Sequence, residues 1–276
     1  MKNQIGIIGF GNMGSAISEQ LKSNYPIMVF DKDKNKTKNS PGINLADSAT
    51  DLVSQVDIVI LAVKPQDFDA LLQEIKNYVK EKLIISIAAG ITTVYIEKYL
   101  LRARVIRAMP NMPARIAQGI TCLSKGKFAT EGDLRLSDEL FKYVGKTILL
   151  KEEMIDAATA ISGSGPGYYF DAIESRPDDY KNNPVKFREE FTAELIEAAK
   201  KIGFNDQEAK FLASLTIIAS DMLLEKTKLP ASELKKQIVS RGGTTEAALE
   251  KLHNGGSLAD AVRAAVERAK ELSKKE

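Results

Sequence analysis

The segment QIGIIGFGNMG, residues 4–14, decides the fold of the N-terminal half of the chain. Its glycines Gly9, Gly11 and Gly14 have the spacing G-x-G-x-x-G and follow a short apolar run. In such a segment the first glycine permits a tight turn, the second lets backbone approach a pyrophosphate, and the third packs a helix on the strand. The helix predicted over Met13–Leu21 would direct its N-terminal N–H groups at the phosphates. The segment predicts a dinucleotide-binding turn in preference to a glycine-rich turn without a ligand.

Short, nearly continuous apolar runs recur through the first half of the chain, as in strands buried on both faces. They are Gln4–Ile8, Ile27–Phe30, Asp57–Ala62, Leu83–Ile87, Val105–Met109 and Lys146–Leu150. Helical patterns separate them, among them Gln66–Val79, which has Pro65 at its first turn. This alternation predicts an α/β domain over residues 1–150, with a doubly wound, Rossmann-like parallel sheet that binds the dinucleotide.

Helical periodicity dominates from Lys151 onward, so residues 151–276 are predicted to form an all-α C-terminal domain. The predicted helices are Glu153–Ile161, Phe191–Ile202, Gln207–Leu224, Ala231–Val239, Thr245–Leu252 and Leu258–Leu272. Two prolines within Arg176–Lys186 should interrupt any helix there. The run Leu212–Leu224 is apolar around most of its circumference, which favours burial at a subunit interface.

Composition excludes several classes of function. The 276 residues include 39 basic and 37 acidic ones, and no basic block with interleaved aromatics suggests a nucleic-acid partner. The single cysteine, Cys122, and the single histidine, His253, predict no disulfide framework and no metal site. We find no apolar run long enough to span a bilayer and no signal peptide, and we therefore expect a cytoplasmic protein without a membrane partner.

Asp31, at the end of the second predicted strand, bears on the choice of cofactor. A carboxylate there accepts hydrogen bonds from the ribose hydroxyls of NAD and repels a 2′-phosphate. This favours NADH, although Lys32 and Lys34 would compensate and allow NADPH as well. The alternative is that Asp31 only begins the following loop.

A second glycine-containing turn, SRGGTT, lies at Ser240–Thr245 and leads into a predicted helix. Gly242 and Gly243 are expected to expose backbone N–H groups, and Thr244 or Thr245 to cap the helix. A helix N-terminus with free N–H groups binds anions such as a small carboxylate. The alternative is an ordinary capped turn between two helices.

Five motifs occur in a characteristic order along the chain. They are LAVKPQ (61–66), SIAAG (86–90), RAMPNMP (107–113), AISGSGPGYYF (160–170) and SRGGTT (240–245). Together they resemble the pyrroline-5-carboxylate reductase family, and the resemblance covers almost the whole chain. It implies reduction of the C=N bond of 1-pyrroline-5-carboxylate to L-proline, the last step of proline biosynthesis, with hydride from NADPH or NADH. It also implies a homo-oligomer, with a dimer as the unit, whose helical domains interlace and bind the imino acid substrate.

The resemblance also implies site residues. Together with Asp31, the cofactor-binding residues would be Ile8, Gly9, Phe10, Gly11, Asn12, Met13, Ala62, Val63, Lys64, Pro65, Ala88 and Ala89. The substrate-binding residues would be Ser240, Gly242, Gly243, Thr244 and Thr245.

Some of these residues have competing interpretations. At Lys64 the backbone is expected to matter more than the ammonium. Asn111 would either orient the ligand or bond its own loop. We expect Tyr168 and Tyr169 to lie in the core or an interface.

The site contains no histidine or carboxylate in an obvious acid position. Thr245 is therefore the predicted catalytic residue, as a hydroxyl that hydrogen-bonds to the imine nitrogen. A threonine hydroxyl is too weak an acid to supply a proton unaided. The substrate should enter protonated, or Thr245 should relay a proton from water, and orientation should dominate catalysis.

Three departures from the family pattern leave alternatives open. Arg241 stands where the family has a proline, Arg176–Lys186 is an extra polar stretch, and Ala49 replaces a common asparagine near the cofactor ribose. The alternatives are a reductase of another cyclic imine or a related small acid, and a dinucleotide-binding regulator without turnover.

Overall fold

The computed structural model describes residues 3–38 and 40–273. The chain divides into two compact units. The first comprises the chain up to Pro110 together with Thr121–Glu152, and the second comprises Asn111–Ile120 together with the chain from Glu153 onward. The segment Asn111–Ile120 thus groups with the helical unit, although it lies in the middle of the predicted nucleotide domain.

The first unit is built on one eight-stranded sheet of order β3-β2-β1-β4-β5-β6-β7-β8. Its strands are β1 Ile5–Ile8, β2 Ile27–Phe30, β3 Asn44–Leu45, β4 Ile58–Leu61, β5 Leu83–Ser86, β6 Arg104–Pro110, β7 Gly119–Lys125 and β8 Gly145–Leu149. The chain reverses its direction of travel across the sheet after β3, since β1 pairs with both β2 and β4 in parallel. This is the switch point at which doubly wound sheets bind nucleotides.

The sheet is not parallel throughout. The six strands β1 to β6 pair in parallel. Strand β7 runs antiparallel to β6, with Met109 opposite Cys122. The sequence interpretation overlooked β7, and its prediction of a parallel sheet fails at this edge. A parallel crossover needs a dozen or more residues, and the segment between Pro110 and Gly119 is shorter than that.

Five helices of the first unit flank the sheet: α1 Asn12–Leu21, α2 Ala49–Gln55, α3 Phe68–Ile75, α4 Thr93–Tyr99 and α5 Glu131–Phe141. Three of them, α2, α4 and α5, carry side-chain caps that explain where they begin. Ser48 Oγ accepts the Asp51 N–H at 3.0 Å, and Thr130 forms a reciprocal capping box with Asp133. Leu52 and Phe68 are fully buried in one core with the apolar strands, so packing fixes α2 and α3 against the sheet.

The second unit is helical, as predicted. Its helices are α6 Ile155–Ala158, α7 Gly165–Ser175, α8 Pro177–Asn182, α9 Pro184–Lys201, α10 Asp206–Thr227, α11 Ala231–Ile238, α12 Thr244–His253 and α13 Leu258–Ser273. Pro177 and Pro184 each occupy a first helical position, where the missing N–H costs nothing. The prolines therefore interrupt the helical path as expected. However, α9 begins seven residues before the predicted Phe191, because Asn183 caps it.

The polar stretch around α8 packs onto α10 through one buried carboxylate. Asp221 accepts hydrogen bonds from Tyr169, Tyr180 and Arg188 at 2.7–3.1 Å. These three donors explain how a charged residue is tolerated in the otherwise apolar α10. Burial also raises the pKa of Tyr169 and Tyr180, so both phenols stay protonated donors. Within the part of the chain that the structure describes, no helix has the length and apolarity needed to cross a membrane.

Candidate active site

The glycine loop after β1 is shaped for close backbone approach. Gly9 has φ +99°, and a Cβ there would lie 2.6 Å from the carbonyl oxygen of Ala62. A side chain at Gly11 would instead meet open space, and Gly11 is the N-cap of α1. Helix α1 therefore begins with amide groups that have no side-chain cap, which is the arrangement that binds a pyrophosphate.

A pocket of about 510 Å³ opens beside this loop, at the carboxyl ends of β1, β2 and β4. Its lining residues are Ile8, Gly9, Gly11, Phe30, Asp31, Lys32, Lys36, Ala62, Val63, Lys64, Gln66, Asp67, Ala70, Leu71 and Glu74. The glycine cradle, the open helix N-terminus and the mixed apolar and charged walls fit a dinucleotide.

The pocket brings together a subset of the predicted cofactor residues, namely Ile8, Gly9, Gly11, Asp31, Ala62, Val63 and Lys64. The others do not line it: they are Phe10, Asn12, Met13, Pro65, Ala88 and Ala89. Pro65 opens a short turn that Lys64 precedes, and Ala88 is buried. Ala49, the position at which the family pattern is broken, is fully buried at the start of α2 and does not line the pocket.

Asp31 turns its carboxylate inward. It is 8% exposed, and its two oxygens accept the Phe10 N–H at 2.7 Å and the Asp33 N–H at 2.8 Å. Burial by itself raises the pKa of Asp31, but the hydrogen bonds from Phe10 and Asp33 and the Lys36 ammonium outweigh it and hold that pKa below its usual range. The carboxylate is therefore ionised and ties the glycine loop to the end of β2.

The charges around Asp31 nearly cancel. Lys36 Nζ lies 3.4 Å from the Asp31 carboxylate, and Lys32 Nζ is paired with Asp67 at 2.6 Å. This wall of the pocket thus holds two carboxylates and two ammonium groups. The sequence interpretation named Lys32 and Lys34 as compensating cations, but the residue beside Asp31 is Lys36. Lys36 ends the short helical turn Lys34–Lys36, and nothing in the sequence pattern distinguished it from its neighbouring lysines.

In the helical unit, the turn Ser240–Gly243 leads into α12, and its N-cap differs from the prediction. Neither Thr244 nor Thr245 caps the helix. The N-cap is Gly243, in extended conformation and without a side-chain cap, and both threonines lie inside the first turn. A glycine is required at the N-cap because a Cβ at Gly243 would lie 2.9 Å from the Ser240 carbonyl oxygen.

The exposed N–H groups of the turn are also not those predicted. The Gly242 N–H donates to Glu246 Oε2 at 2.6 Å, and the Gly243 N–H donates to the Ser240 carbonyl at 2.9 Å. The free donors are two residues further along, because the first N–H groups of a helix have no intrahelical acceptor. Among the described residues, nothing accepts the N–H groups of Thr244 and Thr245.

The threonine hydroxyls converge on Ser164, which precedes α7. Thr245 donates to Ser164 Oγ at 3.0 Å, and Thr244 Oγ1 lies 2.9 Å from the same oxygen. Thr245 is 5% exposed, and its methyl group fits against Gly167, where a Cβ would lie 2.5 Å away. The small residues of the AISGSGPGYYF motif therefore let α7 and α12 approach closely. Ser164 itself was missed.

Two other predicted positions have structural partners. Asn111 is 2% exposed, donates to the Ser162 carbonyl at 3.0 Å and accepts the Ile120 N–H at 2.8 Å. Its amide thus bonds its own loop and the turn before α7. Tyr168 and Tyr169 lie in the core, as predicted.

Comparisons with known proteins agree for both units. Residues 4–90 match the family described as "NADP oxidoreductase coenzyme F420-dependent", and residues 187–273 match "Pyrroline-5-carboxylate reductase dimerisation". Over its full length the chain is 34% identical to the pyrroline-5-carboxylate reductase of Methanosarcina acetivorans, and it covers all of that protein.

Two solved structures are similar along both chains. The structure of a pyrroline-5-carboxylate reductase from Coxiella burnetii has 31% identity and a TM-score of 0.67, with 100% of each chain covered. The Plasmodium falciparum pyrroline carboxylate reductase, solved with NADP bound, has 28% identity and a TM-score of 0.66, with 99% of this chain and 98% of that one covered.

Proposed function

The chain belongs to the pyrroline-5-carboxylate reductase family. We propose that the late turn, Ser240–Gly243 with the start of α12, binds the substrate. The enzyme reduces 1-pyrroline-5-carboxylate to L-proline with NADPH or NADH. The observation that carries the proposal is that two adjacent N–H donors and a buried hydroxyl occur together at the start of α12.

The glycine-loop pocket would hold the cofactor. Gly9 and Gly11 would admit the pyrophosphate to the N-terminus of α1, while Ala62, Val63 and Lys64 would line the path of the dinucleotide. When bound, NADPH or NADH supplies the hydride. The nearly balanced charges of Asp31, Lys36, Lys32 and Asp67 support use of both cofactors, in place of the NADH preference that Asp31 alone suggests.

The substrate carboxylate would bind the N–H groups of Thr244 and Thr245. These donors lie at the positive end of the α12 dipole, which stabilises an anion. The exposed Ser240 hydroxyl would serve as a further donor, and Gly242 and Gly243 would shape the turn without binding the carboxylate themselves.

Thr245 would orient the imine. Because its hydroxyl donates to Ser164, its remaining lone pairs are available as acceptors, and an iminium N–H is a donor. This supports the protonated substrate as the form that binds. A protonated C=N bond is also the better hydride acceptor, so the protein has only to orient and hold it.

We further propose that the enzyme is a homodimer, or a higher oligomer built from dimers, in the cytoplasm. The match of residues 187–273 to a dimerisation family supports the dimer. The single cysteine fits a reducing compartment such as the cytoplasm. Size-exclusion chromatography with light scattering would test the oligomer, and a purely monomeric species would contradict it.

The substrate assignment is tested by following the oxidation of NADPH and NADH with 1-pyrroline-5-carboxylate and with its six-membered homologue. For 2-hydroxy acids, the reduction of NADP+ and NAD+ is followed instead. Turnover with the five-membered imine at the highest kcat/KM is expected. A higher kcat/KM for the homologue or a hydroxy acid would assign a different substrate, and dinucleotide binding without turnover would indicate a regulator.

The catalytic role of Thr245 is tested with Thr245→Ala and Thr245→Ser. The alanine variant should lose at least about tenfold in kcat while its Kd for the dinucleotide stays unchanged, and the serine variant should retain most of the activity. Unchanged turnover in Thr245→Ala would remove this role.

A further inference from the structure

The backbone of Gly242 is held by a hydrogen bond on each side of its Cα. Its N–H donates to Glu246 Oε2 at 2.6 Å, and its carbonyl oxygen accepts a hydrogen bond from Arg268 Nε at 2.7 Å. Glu246 belongs to α12 and Arg268 to α13, so two helices fix the two successive peptide groups that flank the Gly242 Cα.

This turn needs external restraint. Gly242 has φ +69° and is followed by a second glycine, and glycine has the largest backbone freedom to lose on folding. A Cβ at Gly242 would lie 3.3 Å from Arg268 Nη2, so the guanidinium lies directly against the backbone there. Hydrogen bonds in which one partner is charged are stronger than neutral ones, and both bonds to the Gly242 backbone are of that kind.

One of the described partners of the Arg268 guanidinium is the turn itself. The Arg268 side chain is 34% exposed, and its other partner is Glu271 on its own helix at 2.8 Å. What it fixes is the peptide that precedes Gly243, the N-cap, and hence the direction of the Thr244 and Thr245 N–H groups.

We propose that Arg268 is a positioning residue for the substrate carboxylate, acting through the Gly242 carbonyl, with Glu246 as its counterpart on the Gly242 N–H. The proposal rests on the proposed function of the late turn. Arg268 does not contact the substrate, and it presets the two amides that do. Its loss should therefore weaken substrate binding and leave the hydride step and the dinucleotide site unchanged.

The kinetic test compares Arg268→Gln, Arg268→Lys and the control Arg263→Gln, whose arginine lies on the same helix and pairs with Asp260 at the surface. In Arg268→Gln the KM for 1-pyrroline-5-carboxylate should rise about tenfold, with kcat changed less than about twofold. Arg268→Lys should recover part of the loss, and Arg263→Gln should match the wild type. An unchanged KM in Arg268→Gln, or an equal rise in Arg263→Gln, would overturn the proposal.

Amide hydrogen exchange over residues 238–248 tests the restraint without relying on activity. Arg268→Gln should exchange about tenfold faster there than the wild type and Arg263→Gln, with the dinucleotide unit unchanged. Equal exchange in all three proteins would refute the restraint. If the wild type failed to reduce the imine, the proposed function would fall, whereas the exchange measurement would still decide whether Arg268 holds the turn.

Discussion

Thr245 donates a hydrogen bond to Ser164 Oγ at 3.0 Å, which links the late turn to the start of α7. The two residues are 81 positions apart in the chain. Because Thr245 is nearly buried, its hydroxyl has few other acceptors, and Ser164 sets the direction of its proton.

Ser164→Ala should therefore lower kcat about five- to thirtyfold, since a buried hydroxyl without its partner costs about 1–2 kcal/mol and becomes free to rotate. Steady-state kinetics would measure this change alongside the Kd for NADPH, which should be unaffected. Ser220→Ala is the control, because Ser220 is also a buried serine of the helical unit, and among the described residues its hydroxyl bonds only the Thr216 carbonyl. Equal kcat in both variants would show that Ser164 has no part in orienting Thr245.

The glycine loop allows fold and ligand binding to be separated. Gly9→Ala places a side chain at φ +99° and against the Ala62 carbonyl, so it should lose about 2 kcal/mol or more of stability together with dinucleotide binding. Gly11→Ala has φ −79° and no neighbour within 4 Å, so it should keep its stability to within about 0.5 kcal/mol. Its new methyl group faces the pocket, and its Kd for the dinucleotide should still rise at least about tenfold.

Denaturant unfolding would measure the stability of both variants, and fluorescence titration would measure their Kd for the dinucleotide. Tight dinucleotide binding by Gly11→Ala would show that the pyrophosphate does not approach this backbone.

The local fold of the nucleotide unit was largely predictable, because its signals are local. Strand β1, the turn at Gly9 and the start of α1 follow from residues that are adjacent in the sequence. Strand β7 was missed although its signal is present: an apolar run only a few residues after β6 pairs antiparallel, as in a hairpin.

The candidate site was harder to predict, because its partners are distant in sequence. Ser164 meets Thr244 across 80 residues, and the Gly242 carbonyl meets Arg268 across 26. The sequence predicted free N–H groups at Gly242 and Gly243, but the Glu246 side chain and the Ser240 carbonyl accept them, and the free amides are those of Thr244 and Thr245. Such competition depends on side-chain geometry that no spacing rule encodes.

Cofactor preference should respond to the charges beside Asp31. Asp31→Asn removes a negative charge and should raise the ratio of kcat/KM for NADPH to that for NADH, whereas Lys36→Gln should lower it. Each change is expected to be about five- to tenfold, as for one charge acting at short range near the surface.

Lys34→Gln is the matched control for these two variants, because Lys34 is exposed on the same loop and does not line the pocket. If Asp31→Asn and Lys36→Gln changed the NADPH-to-NADH ratio of kcat/KM in the same direction, this result would contradict the electrostatic explanation.

Glu97 provides a pH-dependent test of the nucleotide unit. It is 9% exposed on α4, and no described group donates to its Oε1. Burial raises the pKa of this carboxyl and Glu152 adds to the rise, although the amides of Phe128 and Lys127 act in the opposite direction.

A carboxyl whose folded-state pKa is raised binds its proton more tightly when folded, so stability falls as pH rises from the usual value near 4.5 through the raised one. Glu97→Gln does not titrate, and its Tm should exceed that of the wild type by an amount that grows over this window and then levels off. Glu131→Gln should behave oppositely, because the Lys125 ammonium lowers the pKa of Glu131 and its charged form stabilises the fold above that pKa. Thermal unfolding of the three proteins from pH 3 to pH 8 would measure both differences, and a pH-independent gain in Glu97→Gln would refute the buried charge as its cause.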